Sequence, residues 1–187
     1  MVDSTYLKNH FLIAMPTLVD PNFFHSVTYI CEHNNQGAMG IVINQPVDLT
    51  LADVIDHLGL PYHDGEHLNQ SIYRGGPVEI ERGFILHKPI GLWDSTLSVT
   101  NTIGLSTSND IIEALAQGEG PVQCLVALGY AGWGAGQLEQ EIAENSWLSA
   151  PAAESIIFET AAEKRWEAAA ALMGIDIKQL TGAVGHA

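Results

Sequence analysis

Basic residues are scarce in this sequence: 7 Lys and Arg stand against 22 Asp and Glu among 187 residues, a formal net charge of -15. That balance argues against direct nucleic-acid binding, because affinity for a phosphate backbone comes mainly from cationic contacts and counterion release. Arg74, Arg82, Lys88, Lys164 and Arg165 never make a run. Long apolar runs are missing too. None approaches the ~20 residues of a membrane helix, and Phe11 to Met15, cut short by Pro16, does not read as a signal peptide. A cytoplasmic location is therefore expected, away from the membrane. Cysteine is nearly absent: Cys31 and Cys124 lie far apart in strand-like surroundings, which fits reduced thiols rather than a disulfide framework. H-E-x-x-H, paired C-x-x-C and G-x-S-x-G do not occur, which removes the strong zinc and serine-hydrolase signatures. Neither a metal nor a cofactor is expected.

What is present suits one globular domain over residues 1–187, with 47% apolar residues and no repeat or linker. The chain is organised around 128–147, LGYAGWGAGQLEQEIAENSW. An apolar strand from Val122 to Leu128 is expected to empty there into a turn, where Gly129, Gly132, Gly134 and Gly136 interleave with Tyr130 and Trp133. A helix then starts at Gln137. Such a loop can present aromatic rings and backbone N–H groups to a groove. Equally, the glycines can let strand and helix pack closely while Trp133 fills core. It is no phosphate cradle, lacking a P-loop lysine and opening its helix with Glu139 and Glu141, which repel an anion. Those two carboxylates diverge around the helix and do not form an acid/base pair.

Elsewhere Phe11 to Met15 reads as a strand, and Ser26 to Glu32 with Met39 to Asn44 as a hairpin about Asn34-Asn35-Gln36-Gly37. Pairing Asn34 with Gly37 sets Cys31 opposite Gly40, His33 opposite Ala38 and Val27 opposite Asn44. Ile30, Ile41 and Ile43 then fall on the other, core face. Thr50 caps a helix from Leu51 to Leu58, with Asp53 completing a capping box and Gly59 ending it. Pro61 to Gln70 reads as a polar loop. Ser71 to Tyr73 and Gly83 to His87 are strands, with Arg74-Gly75-Gly76-Pro77 a tight turn exposing backbone. Leu97 to Thr100 and Ile156 to Phe158 are further strand candidates. Helices are expected from Ser108, as cap, to Ala116 and from Ala161 to Met173 before Gly174. Strands partly in hairpins and partly between helices predict a mixed α/β sheet rather than a doubly wound parallel one.

Two clusters invite chemistry. Cys31-Glu32-His33 suggests a thiol nucleophile with an imidazole base, although side chains at i and i+2 of a strand sit about 6 to 7 Å apart. A buried strand cysteine is the competing reading. His63-Asp64-Gly65-Glu66-His67 has metal-ligand types, but Gly65 opposes the helix that would align both imidazoles.

Several segments together resemble the bacterial AlgH/YqgE family. They are Phe11 to Pro16, Cys31-Glu32-His33, Gly37 to Gly40, Asn44-Gln45-Pro46, Gly75 to Val78, Gly83 to His87, Gly129 to Trp133, Gln137 to Glu139 and the terminal Gly185-His186-Ala187. The resemblance implies a single α/β domain whose mixed, strongly bent sheet forms a partial barrel flanked by helices. It also implies a label as regulator of alginate synthesis or of transcription, with no established activity. The expected function is a binding or regulatory module acting indirectly through an unknown protein or small-molecule partner. Its ligand-binding residues are expected to be Asn44, Gly75, Gly76, Tyr130, Gly132, Trp133 and Gln137. The alternative is a small hydrolase or thiol-dependent enzyme using Cys31 and His33.

Overall fold

A computed structural model describes residues 6–180, so the Gly185-His186-Ala187 motif lies outside the described residues. Among the described residues, strands and helices follow one another as β1 (His10–Ala14), β2 (Val27–Asn34), β3 (Gly37–Val42), β4 (Pro46–Thr50), α1 (Leu51–Leu58), β5 (Ser71–Arg74), β6 (Val78–Lys88), β7 (Thr96–Ser98), β8 (Gly104–Ser106), α2 (Asn109–Ala116), β9 (Gln123–Gly134), α3 (Gln137–Ala143), β10 (Trp147–Pro151), α4 (Glu154–Phe158) and α5 (Arg165–Ala171). One mixed sheet runs β10-β1-β2-β3-β9-β6-β8-β7, with β5 parallel to β9 and β4 on β5. The fold is the expected mixed α/β domain, its sheet curled into a half-barrel.

The spine is β9, and it differs from the expected strand-then-turn. The strand continues through Gly129 and Gly132 as far as Gly134. Its first half pairs with β6 and β5, its second with β3. Gly129, at φ +78, shifts the alternation of side chains. Before it, Leu125 and Ala127 join one core while Val126 packs beneath α1 and α2; after it, Ala131 and Trp133 pack with Leu138 of α3. The segment Arg74 to Pro77 is not an exposed turn either. Gly75 and Gly76 are buried where they cross β9, and a methyl group on Gly76 would lie 2.1 Å from the Tyr130 carbonyl carbon. Two backbones can cross that closely only where no Cβ points into the crossing, as at Gly75 and Gly76 against Gly129 and the Tyr130 main chain.

The sheet thus has helices on both faces. On one, Phe11, Tyr29, Cys31 and Leu86 form a core with Ile157 of α4 and Ala169 of α5. On the other, α1 and α2 cover one end of the sheet and α3 the other. The α1 helix forms as its sequence demands. Thr50 Oγ1 accepts from the Asp53 amide, Asp53 Oδ2 accepts from the Thr50 amide at 2.8 Å, and Gly59 closes the helix at φ +67. Its Leu51 and Ile55 are fully buried, each stabilising the fold by about 1.5 to 3 kcal/mol. At α2, Ser108 holds the cap position, but its hydroxyl donates to Asp110 instead of capping the backbone.

Three other expectations change. In the hairpin, Asn34 pairs with Gly37 and His33 with Ala38 as expected, but a bulge between Ile30 and Glu32 sets Ile30, not Cys31, opposite Gly40. The Val27 amide still meets Asn44, through the Asn44 side chain. Ile156 to Phe158 belongs to α4, and the last strand is β10, pairing with β1. The helix expected from Ala161 starts instead with a short 3-10 turn, Ala162–Lys164, ahead of α5.

Candidate functional site

The glycine and aromatic stretch closes on itself. Trp133 is 6% exposed and packs against Trp147, ring centroids 6.2 Å apart and nearly perpendicular, and against Phe23 at 6.1 Å. Both indole N–H groups donate to Glu141 Oε1, at 3.1 and 3.0 Å. Gln137 donates to Glu141 Oε2 at 2.9 Å and accepts from the Gly134 amide. Of the two readings of Trp133, core filling is therefore the one observed. At 6% exposure that ring offers a ligand little to stack on, and Gln137 is already engaged. As the helical spacing demands, Glu139 faces elsewhere, to His33.

The thiol and imidazole pairing is not assembled. The bulge leaves Cys31 in the core with Tyr29 while His33 pairs with α3 on the opposite face. Cys31 is fully buried with Sγ 3.6 Å from the Tyr29 carbonyl, and burial pushes its thiol pKa far up. His33 Nδ1 accepts from the Leu7 amide at 2.9 Å, so its proton sits on Nε2 and is donated to Glu139 Oε1, also at 2.9 Å. A second histidine contact looks like a nucleophile pair. His87 Nδ1–H donates to the Pro89 carbonyl, and Nε2 accepts from Ser106, whose oxygen lies 2.7 Å away. Both residues are fully buried, so no substrate reaches them, and desolvation lowers the His87 pKa against the Pro89 hydrogen bond that raises it. Among the described residues no group of three or more His, Cys, Asp or Glu is placed to hold a metal.

Of the seven expected ligand-binding residues, Tyr130, Gly132 and Trp133 line one open groove of about 540 Å³, with Met39, Phe84 and Arg82. The other four are elsewhere. Asn44 spends both ends of its amide on backbone, accepting from Val27 N–H and donating to the His25 carbonyl, each at 2.9 Å. Gly75 and Gly76 are sealed at the crossing.

Sequence reasoning missed the segment beside that groove. After Val78 pairs with Tyr130, β6 leaves β9 and returns only where Gly83 pairs with Leu128. Four residues, Glu79-Ile80-Glu81-Arg82, thus stand out opposite Gly129, with Glu79 at φ +49 and Ile80 58% exposed. Arg82 lies 3.5 Å from Glu79 and 5.4 Å from the centre of the Phe84 ring. The signal was an isoleucine within a charged tetrad that interrupts an otherwise apolar strand. Beyond the tetrad lies a second groove of about 800 Å³, with α1 and α2 as walls and Ile85, Val126 and Leu128 as floor. Its rim carries Leu49, Leu58 and Ile80, respectively 40%, 49% and 58% exposed. The Arg82 side chain borders both grooves.

Among the described residues no helix is long and apolar enough to cross a membrane. Known proteins give a consistent picture. A UPF0301 protein of Thioalkalivibrio sulfidiphilus is 56% identical over the full length of both chains. Another, of Nitrosococcus oceani, is 54% identical over 97% of each. The solution structure of the AlgH protein from Pseudomonas aeruginosa superposes with a TM-score of 0.81 at 48% identity, over 97% of this chain and 96% of that one. The crystal structure of a Corynebacterium diphtheriae protein shares the fold, at a TM-score of 0.74 and 20% identity over 97% and 94% of the two chains. Residues 11–178 match the sequence model of the AlgH-like family, and on that match and these relatives the chain belongs to that family.

Proposed function

We propose that the protein is a cytoplasmic binding or regulatory module that works through a small-molecule or protein partner, held at the two grooves flanking residues 79–82. The observation that carries this reading is the groove between α1 and α2. Exposed aliphatic side chains scattered singly are ordinary, but Leu49, Leu58 and Ile80 gather on the rim of one concavity. Its volume of about 800 Å³ lies in the range of ligand sites, and its floor is continuous with a packed core. Tyr130 and Gly132, in the groove on the other side of the tetrad, extend the contact surface across it. Any influence on gene expression, alginate synthesis included, is then indirect, since a net charge of -15 disfavours contact with DNA. The thiol-enzyme alternative has no support, because Cys31 is buried and paired with no base.

Native mass spectrometry of the protein purified gently from its own cells tests this reading. A bound mass or co-purifying chain is expected with the native sequence and not with Val54→Trp, which fills the groove from α1 in a protein checked by circular dichroism to be folded. The same cargo on both proteins, or none on either, overturns it.

A further inference from the structure

Resting on that reading, we infer that the groove between α1 and α2 docks a basic, amphipathic helical segment of a partner protein. The groove is a trough rather than a closed cavity. Its walls are α1 and α2, its floor is sheet, and the exposed Leu49, Leu58 and Ile80 line its mouth. A helix laid along the trough covers rim and floor together, by the side-chain rows that helix-in-groove recognition uses.

Charge selects the partner's sign. Asp53 and Glu81 line the groove, and the elements that bound it also carry Asp56 on α1, Asp110 and Glu113 on α2 and Glu79 on the tetrad. Against these six carboxylates stand Arg82, already 3.5 Å from Glu79, and His57. Asp53 and Asp110 both accept local hydrogen bonds; at Asp110 desolvation raises the carboxyl pKa, and the hydrogen bonds from Ser108 and the Asp94 and Ile111 amides outweigh it and lower the pKa. An acidic or neutral amphipathic helix would meet this surplus of carboxylates with repulsion or indifference. One bearing lysines and arginines beside its apolar stripe meets complementary potential, which also steers its approach.

The test uses the full chain and three probes: a fluorescent Leu/Lys amphipathic peptide of about 18 residues, its Leu/Glu counterpart, and the neutral dye Nile red. The Leu/Lys peptide is expected to bind roughly tenfold or more tightly than the Leu/Glu peptide, and to weaken as salt rises. The double variant Leu58→Ser, Ile80→Ser removes only exposed side chains, so it stays folded, and a loss of roughly tenfold in peptide affinity is expected. Glu79→Gln with Glu81→Gln should also weaken the peptide. Glu159→Gln with Glu163→Gln, which removes equal charge from a distant surface, should not. Equal weakening by both charge pairs, or equal binding of both peptides, overturns the inference. If the rim variant loses Nile red but keeps the peptide, the groove stands as a ligand site and the basic-helix occupant fails. If it keeps both, the groove itself fails and the proposed function with it.

Discussion

Around α3, Trp133, Trp147, Phe23 and Leu138 close on one another and both indole N–H groups meet Glu141; between α1 and α2, Leu49, Leu58 and Ile80 surround a groove and meet solvent. The two regions lie on the same side of one sheet and are separated by the junction at Gly129 and residues 79–82. Both present apolar and polar groups together, yet only one has satisfied them internally. Polar groups that already have partners belong to the architecture, and their removal should be felt in stability. Apolar groups left on a rim cost little when removed and should be felt in binding.

The largest effect that would break this contrast is Trp133→Ala. Deleting a buried indole at the α3 end should cost about 3 to 5 kcal/mol, read from urea unfolding; a loss below about 1 kcal/mol would mean that the ring is not core. Next comes Glu141→Ala, which strands two indole donors and should cost about 1 to 3 kcal/mol. Glu141→Gln keeps an acceptor and should cost less by the same measurement. At the groove, Leu58→Ser with Ile80→Ser should change stability by no more than about 0.5 kcal/mol while abolishing uptake of Nile red. A large stability loss there would make the rim part of the core and erase the distinction.

The smallest effect concerns pH. Burial raises the Cys31 thiol far above its unfolded value and pushes Cys124 up to about 11. Folded thiols thus stay protonated where unfolded ones ionise, so unfolding releases protons. Stability should be fully present below pH about 9 and fall as pH rises further, with the urea midpoint declining less in Cys31→Ala. Thiol labelling of the native protein at neutral pH should proceed at Cys31 only as fast as global unfolding. Rapid labelling would show an exposed thiol and reopen the enzyme reading.

The site was less legible than the fold. Gly129 to Trp133 drew attention because glycine and aromatic density is a feature of binding loops, but the same density serves a crossing of two backbones and a buried ring. Nothing local distinguishes the two, since what decides is whether another strand, here β3, lies alongside. Tyr130 and Gly132 do reach a groove, and Asn44 does not, because its amide latches the corner at His25 to Val27. In the sequence the Glu79 to Arg82 tetrad looks like an ordinary turn, and only the pairing of its flanks with Leu128 and Tyr130 sets it apart.

By itself the sequence determined those features whose causes lie within a few residues or in the whole composition. Helix α1 followed from Thr50, Asp53 and Gly59, the hairpin turn from Asn34 to Gly37, and the large negative net charge from the composition. Only the tertiary structure decided that Cys31 and His33 part company at a bulge, that Gly75, Gly76 and Gly129 are a crossing rather than a loop, and that α1 and α2 flank a groove with an apolar floor. Those outcomes depend on register between strands distant in sequence. A shift of one residue turns every side chain beyond it to the other face, and short-range propensities do not fix it.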